Sequence, residues 1–259
     1  MGIKMNNAPV FYILAQVRFN PVSMMSEFVP KIQDRLRRAG FPDFRPEVLH
    51  RIDLRQIGGS PEVQMHEATR WSFMNSKGTE GYLLNTDSIV FHTTAYDTFD
   101  VFLDRLLMGL GLIHEAVELT YIERIGLRYL DAVSPRAHES LDNYLSQTVL
   151  GLHKALQGKL AHNFMETAVQ NVSGTLVART VIRDNTLTVP PDLHPMNLKI
   201  GDRFASIKGL HAILDNDQFA EERSDFNLDE VKIKLRSMHD RIEEAFHATV
   251  TSFALEQWK

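Results

Sequence analysis

The sequence has 259 residues, a hydrophobic fraction of 44%, a charged fraction of 24% and a formal net charge of −5. These values are ordinary for a globular protein with a substantial core, and the even spread of charge argues against general nucleic-acid binding, which usually leaves a basic surface. The absence of cysteine excludes disulfides, thiolate metal sites and a cysteine nucleophile. The N-terminus does not resemble a signal peptide and no apolar run reaches membrane-spanning length, so we expect a cytoplasmic protein with no membrane contact.

The first half of the chain predicts a strand, a helix, a group of strands and a second helix. Alternating apolar and polar residues over 9–19 predict the first strand. Residues 24–39 have the spacing of an amphipathic helix, with Pro30 either in its first turn or at a kink. A helix over 98–117, capped by Asp97 or Thr98, closes this half. Between the two helices, turn signals separate four predicted strands, over residues 48–57, 69–75, 81–85 and 88–94.

The second half repeats this order. A predicted strand over 119–133 is followed by one or two helices over 140–156. Prolines make residues 185–200 a predicted loop, and Asn227 is the predicted cap of a last helix that runs to Phe253. The other predicted strands of this half cover residues 160–170, 175–184 and, as one or two strands, 203–215.

The repeated order predicts an α+β fold built from two pseudo-repeats of strand–helix–(about four strands)–helix. Residues 8–118 would form the first α+β half and residues 119–259 the second, packed as one unit. We expect a mainly antiparallel sheet with helices on one face. The same order occurs in each half of the saddle-shaped TATA-box-binding fold, but this likeness of element order implies no function. The alternative is that an α+β chain of this length divides into similar halves by chance.

Three blocks of sequence also resemble a known family. They are Ala8-Pro9-Val10 leading into Gln16-Val17-Arg18-Phe19, then Ile125-Gly126-Leu127-Arg128-Tyr129-Leu130-Asp131, and Leu214-Asp215-Asn216-Asp217 followed by a helix with Met238-His239 and Phe246. With these blocks the chain resembles, over essentially its whole length, a sporadically distributed bacterial family of similar size. The resemblance implies a bacterial cytosolic protein. It carries over no catalytic residue, because no activity is assigned to the family.

Two arginines on the matching first strands of the halves are the best candidates for a binding site. When Val17-Arg18-Phe19 is aligned with Leu127-Arg128-Tyr129, Arg18 and Arg128 fall on the face opposite the helices. Gly126 would leave open space beside Arg128. Converging guanidinium groups suit a carboxylate, a phosphate or an acidic peptide.

The predicted ligand-binding set also includes other residues of that strand face. Its members are Arg18, Arg128, Arg124, His92 and Gln16. The alternative is structural: each arginine would pair with an acidic residue of a neighbouring strand, such as Glu166 or Asp215.

The sequence contains no catalytic signature. It has no phosphate-binding glycine loop and no nucleophile elbow, and its histidines lack metal-ligand spacing, so no catalytic residue, metal or cofactor is predicted. Four aromatic residues at strand spacing would form either a stacking platform or sheet core: Trp71, Phe73, Tyr82 and Phe91.

These observations favour a non-enzymatic binding protein that recognises a partner protein or a small anionic ligand. The first alternative is an enzyme that acts on a phosphorylated or nucleotide-like substrate through an arginine-lined site. The second is nucleic-acid binding through a saddle-like sheet, which the charge disfavours. The long amphipathic C-terminal helix also allows a homodimer.

Overall fold

The computed structural model describes residues 5–57, 60–152, 155–194 and 196–259. This part of the chain forms ten strands and six α-helices. The strands are β1 (Val10–Phe19), β2 (Asp43–Ile57), β3 (Ser60–Met74), β4 (Glu80–Leu84), β5 (Ser88–Thr93), β6 (Tyr121–Val133), β7 (His162–Asn171), β8 (Gly174–Thr186), β9 (Lys208–Ala220) and β10 (Ser224–Asp225). The helices are α1 (Met25–Arg38), α2 (Phe99–Val117), α3 (Leu141–Tyr144), α4 (Asp202–Ala205), α5 (Leu228–Thr249) and α6 (Ser252–Trp258).

The ten strands belong to one sheet. Its order is β2-β3-β4-β5-β1-β6-β9-β8-β7, with β10 beside β6, and the strand pairings within the described part are antiparallel. The predicted mixed fold with a mainly antiparallel sheet is confirmed. Because β1 pairs with β6, the sheet runs without a break from the first half of the chain into the second.

Alternation along β1 and β6 divides the sheet into two faces. Ala15, Val17 and Leu127 are buried in the largest apolar cluster, together with side chains of α1, α2 and α5. We call this side the helix face. The intervening residues, such as Gln16 and Arg128, point to the other side, because successive strand residues alternate. We call that side the arginine face.

The segment between β8 and β9 lies against the arginine face. We call this segment, described over residues 187–194 and 196–207, the strap. Its Lys199 N–H donates to the Gly78 carbonyl (2.7 Å) and its Lys199 carbonyl accepts from the Thr94 hydroxyl (2.6 Å), so it is fixed near the start of β4. Buried strap side chains pack in one cluster with sheet residues: Leu187, Val189, Leu198 and Phe204 against Phe11, Tyr12, Met74, Leu130, Ala132 and Ile213.

The predicted helices over 140–156 are largely wrong. Over residues 140–152, the structure has α3 and a 3-10 turn at Gln147–Val149, and residues 153 and 154 lie outside the described part of the chain. Leu145 is extended because it forms an isolated β-bridge with Val250, and Gly151 has a positive φ of 71°. The same bridge interrupts the last helix, since extended Val250 separates α5 from α6.

The helix predicted over 24–39 is confirmed as α1 (Met25–Arg38), and Pro30 lies inside it, five residues after its start, rather than in its first turn. Some strand boundaries differ from the sequence prediction. Residues 202–205 form α4 rather than a strand, and the strand predicted there begins at Lys208 and runs on to Ala220.

Gly109 in α2 allows this helix to approach β4 closely. A Cβ atom at Gly109 would lie 2.3 Å from Tyr82 Cε1. Tyr82 is fully buried and its hydroxyl donates to the Arg105 carbonyl (2.5 Å), so its ring has little room to move. We therefore expect Gly109→Ala to lower the free energy of unfolding by about 1–3 kcal/mol through overpacking.

Gly111→Ala in the same helix is the matched control. A Cβ atom there would meet only Leu228 Cδ1 at 3.7 Å, an ordinary contact. Because alanine favours helix over glycine, we expect this change to stabilise the protein by about 0.5–1 kcal/mol. Urea unfolding measures both variants. Effects of the same sign would contradict close packing as the reason for Gly109.

Candidate anion-binding site

The site is built around Arg128 in the central strand β6. Its side chain is buried on the arginine face. Arg128 Nε donates to Asp215 Oδ1 (2.6 Å) and Nη2 donates to Asp215 Oδ2 (2.7 Å), a bidentate pair. Asp215 is also buried, and it lies on β9 opposite Leu130, the next residue of β6 on the arginine face. The strand register therefore places these two charges together.

The strap supplies a second carboxylate to the same guanidinium. Arg128 Nη1 donates to Asp192 Oδ2 (2.5 Å), and Asp192 lies in the 3-10 turn Pro191–Leu193. Burial disfavours the charge on Arg128, but the hydrogen bonds that it donates to the two carboxylates raise its pKa above its usual value. Burial tends to raise the pKa of Asp192, and the hydrogen bond from Arg128 outweighs this and lowers it. Both groups are therefore charged at neutral pH.

A cavity of about 260 Å³ adjoins this ion pair, between the strap and strands β7, β8 and β9. Its size lies just below the usual range for ligand pockets, which begins at about 300 Å³. Its charged lining is Arg128, Arg179, Arg183, Asp192 and Asp215, and its apolar lining is Phe164, Val181, Val189, Pro190, Pro191 and Ile213. A polar end and an apolar wall thus meet in one small space.

Arg183 is the one guanidinium of the lining that has no carboxylate partner among the described residues. Three guanidinium groups and two carboxylates line the cavity, and a third carboxylate, Glu166, contacts Arg179 at 2.6 Å from outside the lining. Arg179 also lies 3.6 Å from Asp215. The charges therefore balance in number, and Arg183 is the cation left open to an additional negative group.

Of the five predicted ligand-binding residues, Arg128 lines the cavity and the other four do not. Arg18 lies directly opposite Arg124, and Arg128 lies opposite Leu14. Arg18 and Arg128 are thus offset by four positions on neighbouring strands, which is about 13 Å along the strand direction. Of the two alternatives that the sequence leaves open, the structure therefore does not show the one in which the two arginines converge.

Two of the remaining predicted residues, Arg124 and Gln16, form a separate pair near the centre of the sheet. Arg124 Nη1 donates to Gln16 Oε1 (2.8 Å), and the guanidinium lies over the Phe219 ring, 4.9 Å from its centroid. The space predicted beside Gly126 is filled, since a Cβ there would be 2.9 Å from Arg124 Nη1. Arg18 has one distant contact, Glu123 at 3.8 Å.

His92 is buried beside Tyr12, away from the cavity. The Tyr12 hydroxyl and His92 Nδ1 are 2.9 Å apart, and His92 Nε2 has no hydrogen-bond partner among the described atoms. Burial, with a smaller effect from Arg70, lowers the pKa of His92 to about 3. The ring is therefore neutral at physiological pH and offers no charge to an anion.

Sequence reasoning missed Arg179, Arg183 and Asp192. Arg179 and Arg183 are four positions apart in a strand, so alternation alone places them on one face. No comparable pattern marks Asp192, because local sequence does not predict the path of the strap. The structural alternative for Arg128 is confirmed in one respect, because Asp215 is its partner.

Of the two interpretations of the four aromatic residues, sheet core is confirmed and the stacking platform is not. Trp71, Phe73, Tyr82 and Phe91 are all buried in the largest apolar cluster. Among residues 5–57, 60–152, 155–194 and 196–259, no group of three or more potential metal ligands is arranged to hold an ion. No helix of these ranges is long and apolar enough to cross a membrane.

Comparison of the chain with protein-family profiles and with curated proteins finds no match. Its function is therefore inferred from its own residues.

Proposed function

We propose that this is a non-enzymatic binding protein whose ligand is a small anion that enters the cavity beside Arg128. The supporting observation is the second carboxylate on Arg128. Asp215 already provides a buried, bidentate partner from the sheet, whereas Asp192 belongs to the strap and its side chain is 62% exposed. An anionic ligand would take the place of the Asp192 carboxylate on Arg128.

The charge of the lining supports this exchange. When Asp192 leaves, three guanidinium groups face Asp215 and the Glu166 that contacts Arg179, so the site gains one net positive charge. Guanidinium groups bind carboxylate and phosphate through paired N–H donors. The wall formed by Phe164, Val181 and Ile213 would cover an apolar part of the ligand. The expected ligand is therefore a small carboxylate or phosphate with an apolar body.

Calorimetry with three matched probes tests this function. Benzoate and phenyl phosphate carry the anion on the same ring, and benzyl alcohol is neutral. We expect one or both anions to bind and the alcohol not to bind, because the ring alone leaves the guanidinium groups without a partner. Equal binding of all three probes, or binding of none, would contradict the proposal.

Asp192→Asn should strengthen binding of the anion, because it removes the charge that competes for Arg128. An exposed ion pair is worth about 0.2–1 kcal/mol, so we expect a gain of about two- to fivefold. Asp100→Asn is the matched control: its carboxylate is 61% exposed and is paired with Arg236 at 2.7 Å, outside the cavity lining. Equal gains in the two variants would indicate a general charge effect instead of competition at Arg128.

We also propose that the fold is the internal duplication expected from the sequence, with halves 8–118 and 119–259. The register supports it, because Gln16 and Gly126, equivalent in the alignment of the halves, pair directly at the centre of the sheet. The strand order supports it too, since β1 and β6 each pair outward with a later strand of their own half, β5 and β9. In this arrangement α1, α2 and α5 cover one face and leave the other to the strap and its cavity.

We further propose that this is a bacterial, cytoplasmic protein and a member of the sporadically distributed family that the sequence resembles. The absence of cysteine is compatible with a reducing compartment.

A further inference from the structure

The strand β7 forms an edge of the sheet, and its residues are mostly exposed on both faces. Natural proteins protect such edges with charged residues and proline, because unpaired backbone groups attract other strands. The opposite edge, β2, follows this rule, with Pro46 and six charged residues among its 15 positions. β7 has one charged residue, Glu166, and no proline among its 10 positions. The two edge strands thus differ: β2 carries the charged residues and the proline that protect an edge, and β7 does not.

Exposed apolar side chains concentrate around the unprotected edge. Of the 11 large apolar residues exposed within the described part of the chain, five lie in residues 152–172. This stretch is less than a tenth of the 259 residues. The five are Leu152 (75% exposed), Leu156 (67%), Phe164 (58%), Val169 (49%) and Val172 (102%). Such a concentration is typical of an interaction surface.

We propose that two copies of the chain form a dimer by antiparallel pairing of β7 with β7 across a two-fold axis. The pairing would join the two sheets into one and satisfy the outward N–H and C=O groups of the strand. Phe164 and Val169 lie on opposite faces of β7, so the partner covers apolar surface on both sides. Val172 follows β7 directly, in the turn to β8, and widens the contact. Leu152 and Leu156 precede the strand in the chain.

Charge favours a second copy as the occupant. A two-fold axis brings the same residues of both chains together, so a charged strand would repel its own copy. Glu166 is the one charged side chain on β7, and within its own chain it is already paired with Arg179 at 2.6 Å. Phe164 also lines the cavity, whereas Val169 and Val172 do not, so the test variants are placed at these two residues to leave the proposed ligand site intact.

Sedimentation equilibrium of the full chain, without added ligand, tests the proposal. The mass should rise with concentration from 29.6 kDa towards twice that value. Val169→Lys should weaken dimerisation by about tenfold or more, because it places two like charges at the paired edges. Val172→Lys should act in the same direction, and its fully exposed side chain makes any effect on folding small.

Ile233→Lys is the matched control, because Ile233 is 67% exposed on α5. It should leave the dimer unchanged. A wild-type monomer at several hundred micromolar would overturn the proposal. So would a dimer that Ile233→Lys weakens and that Val169→Lys and Val172→Lys do not, since that result assigns the interface to α5.

Discussion

Arg128→Met is expected to lower the free energy of unfolding by about 3–5 kcal/mol, the usual cost of removing one partner of a buried ion pair. Asp215 is buried and receives two hydrogen bonds from Arg128, at 2.6 and 2.7 Å. After the substitution its nearest cation is Arg179, whose Nη1 is 3.6 Å away. The loss therefore comes mainly from a carboxylate that remains buried without its bidentate partner. Urea unfolding at neutral pH measures it.

Two further variants separate the ion pair from simple packing. The double variant Arg128→Met/Asp215→Leu should recover most of the loss, because it removes the uncompensated charge. Arg179→Met should lower the free energy of unfolding much less, by about 1 kcal/mol or below. Arg179 is more exposed than Arg128, and Asp215 retains its bidentate pair with Arg128 in this variant. Equal losses for Arg128→Met and Arg179→Met would show that Asp215 does not depend mainly on Arg128.

Asp131→Asn is expected to stabilise the protein at neutral pH. Asp131 lies on β6 and is buried, and burial raises its pKa from 3.8 to about 7. The folded protein therefore holds this proton up to about pH 7, whereas the unfolded chain releases it near its ordinary value of about 3.9. The contribution of Asp131 to stability is fully present below about pH 4 and is lost as the pH rises to about 7. The loss is at most about 4 kcal/mol, since one pKa unit corresponds to about 1.4 kcal/mol.

Unfolding measured across the range from pH 4 to 8 tests this expectation. The difference between Asp131→Asn and wild type should grow with pH in favour of the variant and level off above about pH 7. Other titrating groups contribute to both curves, so they cancel in the difference. Parallel curves would mean that Asp131 titrates near its ordinary pKa in the folded protein.

Elements with local signals follow the sequence closely. β1 was expected over 9–19 and is observed at Val10–Phe19, because alternation depends on adjacent residues. α2 begins after Thr98, whose hydroxyl accepts from Val101 N–H (3.4 Å), as the capping rule predicts. The prediction of helices over 140–156 is largely wrong because a distant contact decides the structure there. Leu145 is held extended by Val250, a partner 105 positions away that no local pattern reveals.

The candidate site, too, is predictable from the sequence only in part. Strand alternation identifies the face on which Arg128 lies, but the register decides which residues it meets. Gln16 and Gly126 pair directly, so Arg18 and Arg128 lie two positions away on opposite sides of that pair. Residues at the same distance and in the same chain direction from a directly paired position of two antiparallel strands diverge in this manner. Asp192 is beyond sequence reasoning, because it reaches Arg128 only through the path of the strap.

The pairing of β1 with β6 also sets the order in which the chain can fold. Val10 pairs with Asp131 and Arg18 with Arg124, so the two central strands join residues more than 100 positions apart. Such high contact order slows folding. During synthesis, at about 5–20 residues per second, β1 is complete roughly 5–20 s before β6 has been made. The strand that is most enclosed in the finished sheet is thus the one whose free edge is open longest in the nascent chain, where it is a target for chaperones and for aggregation.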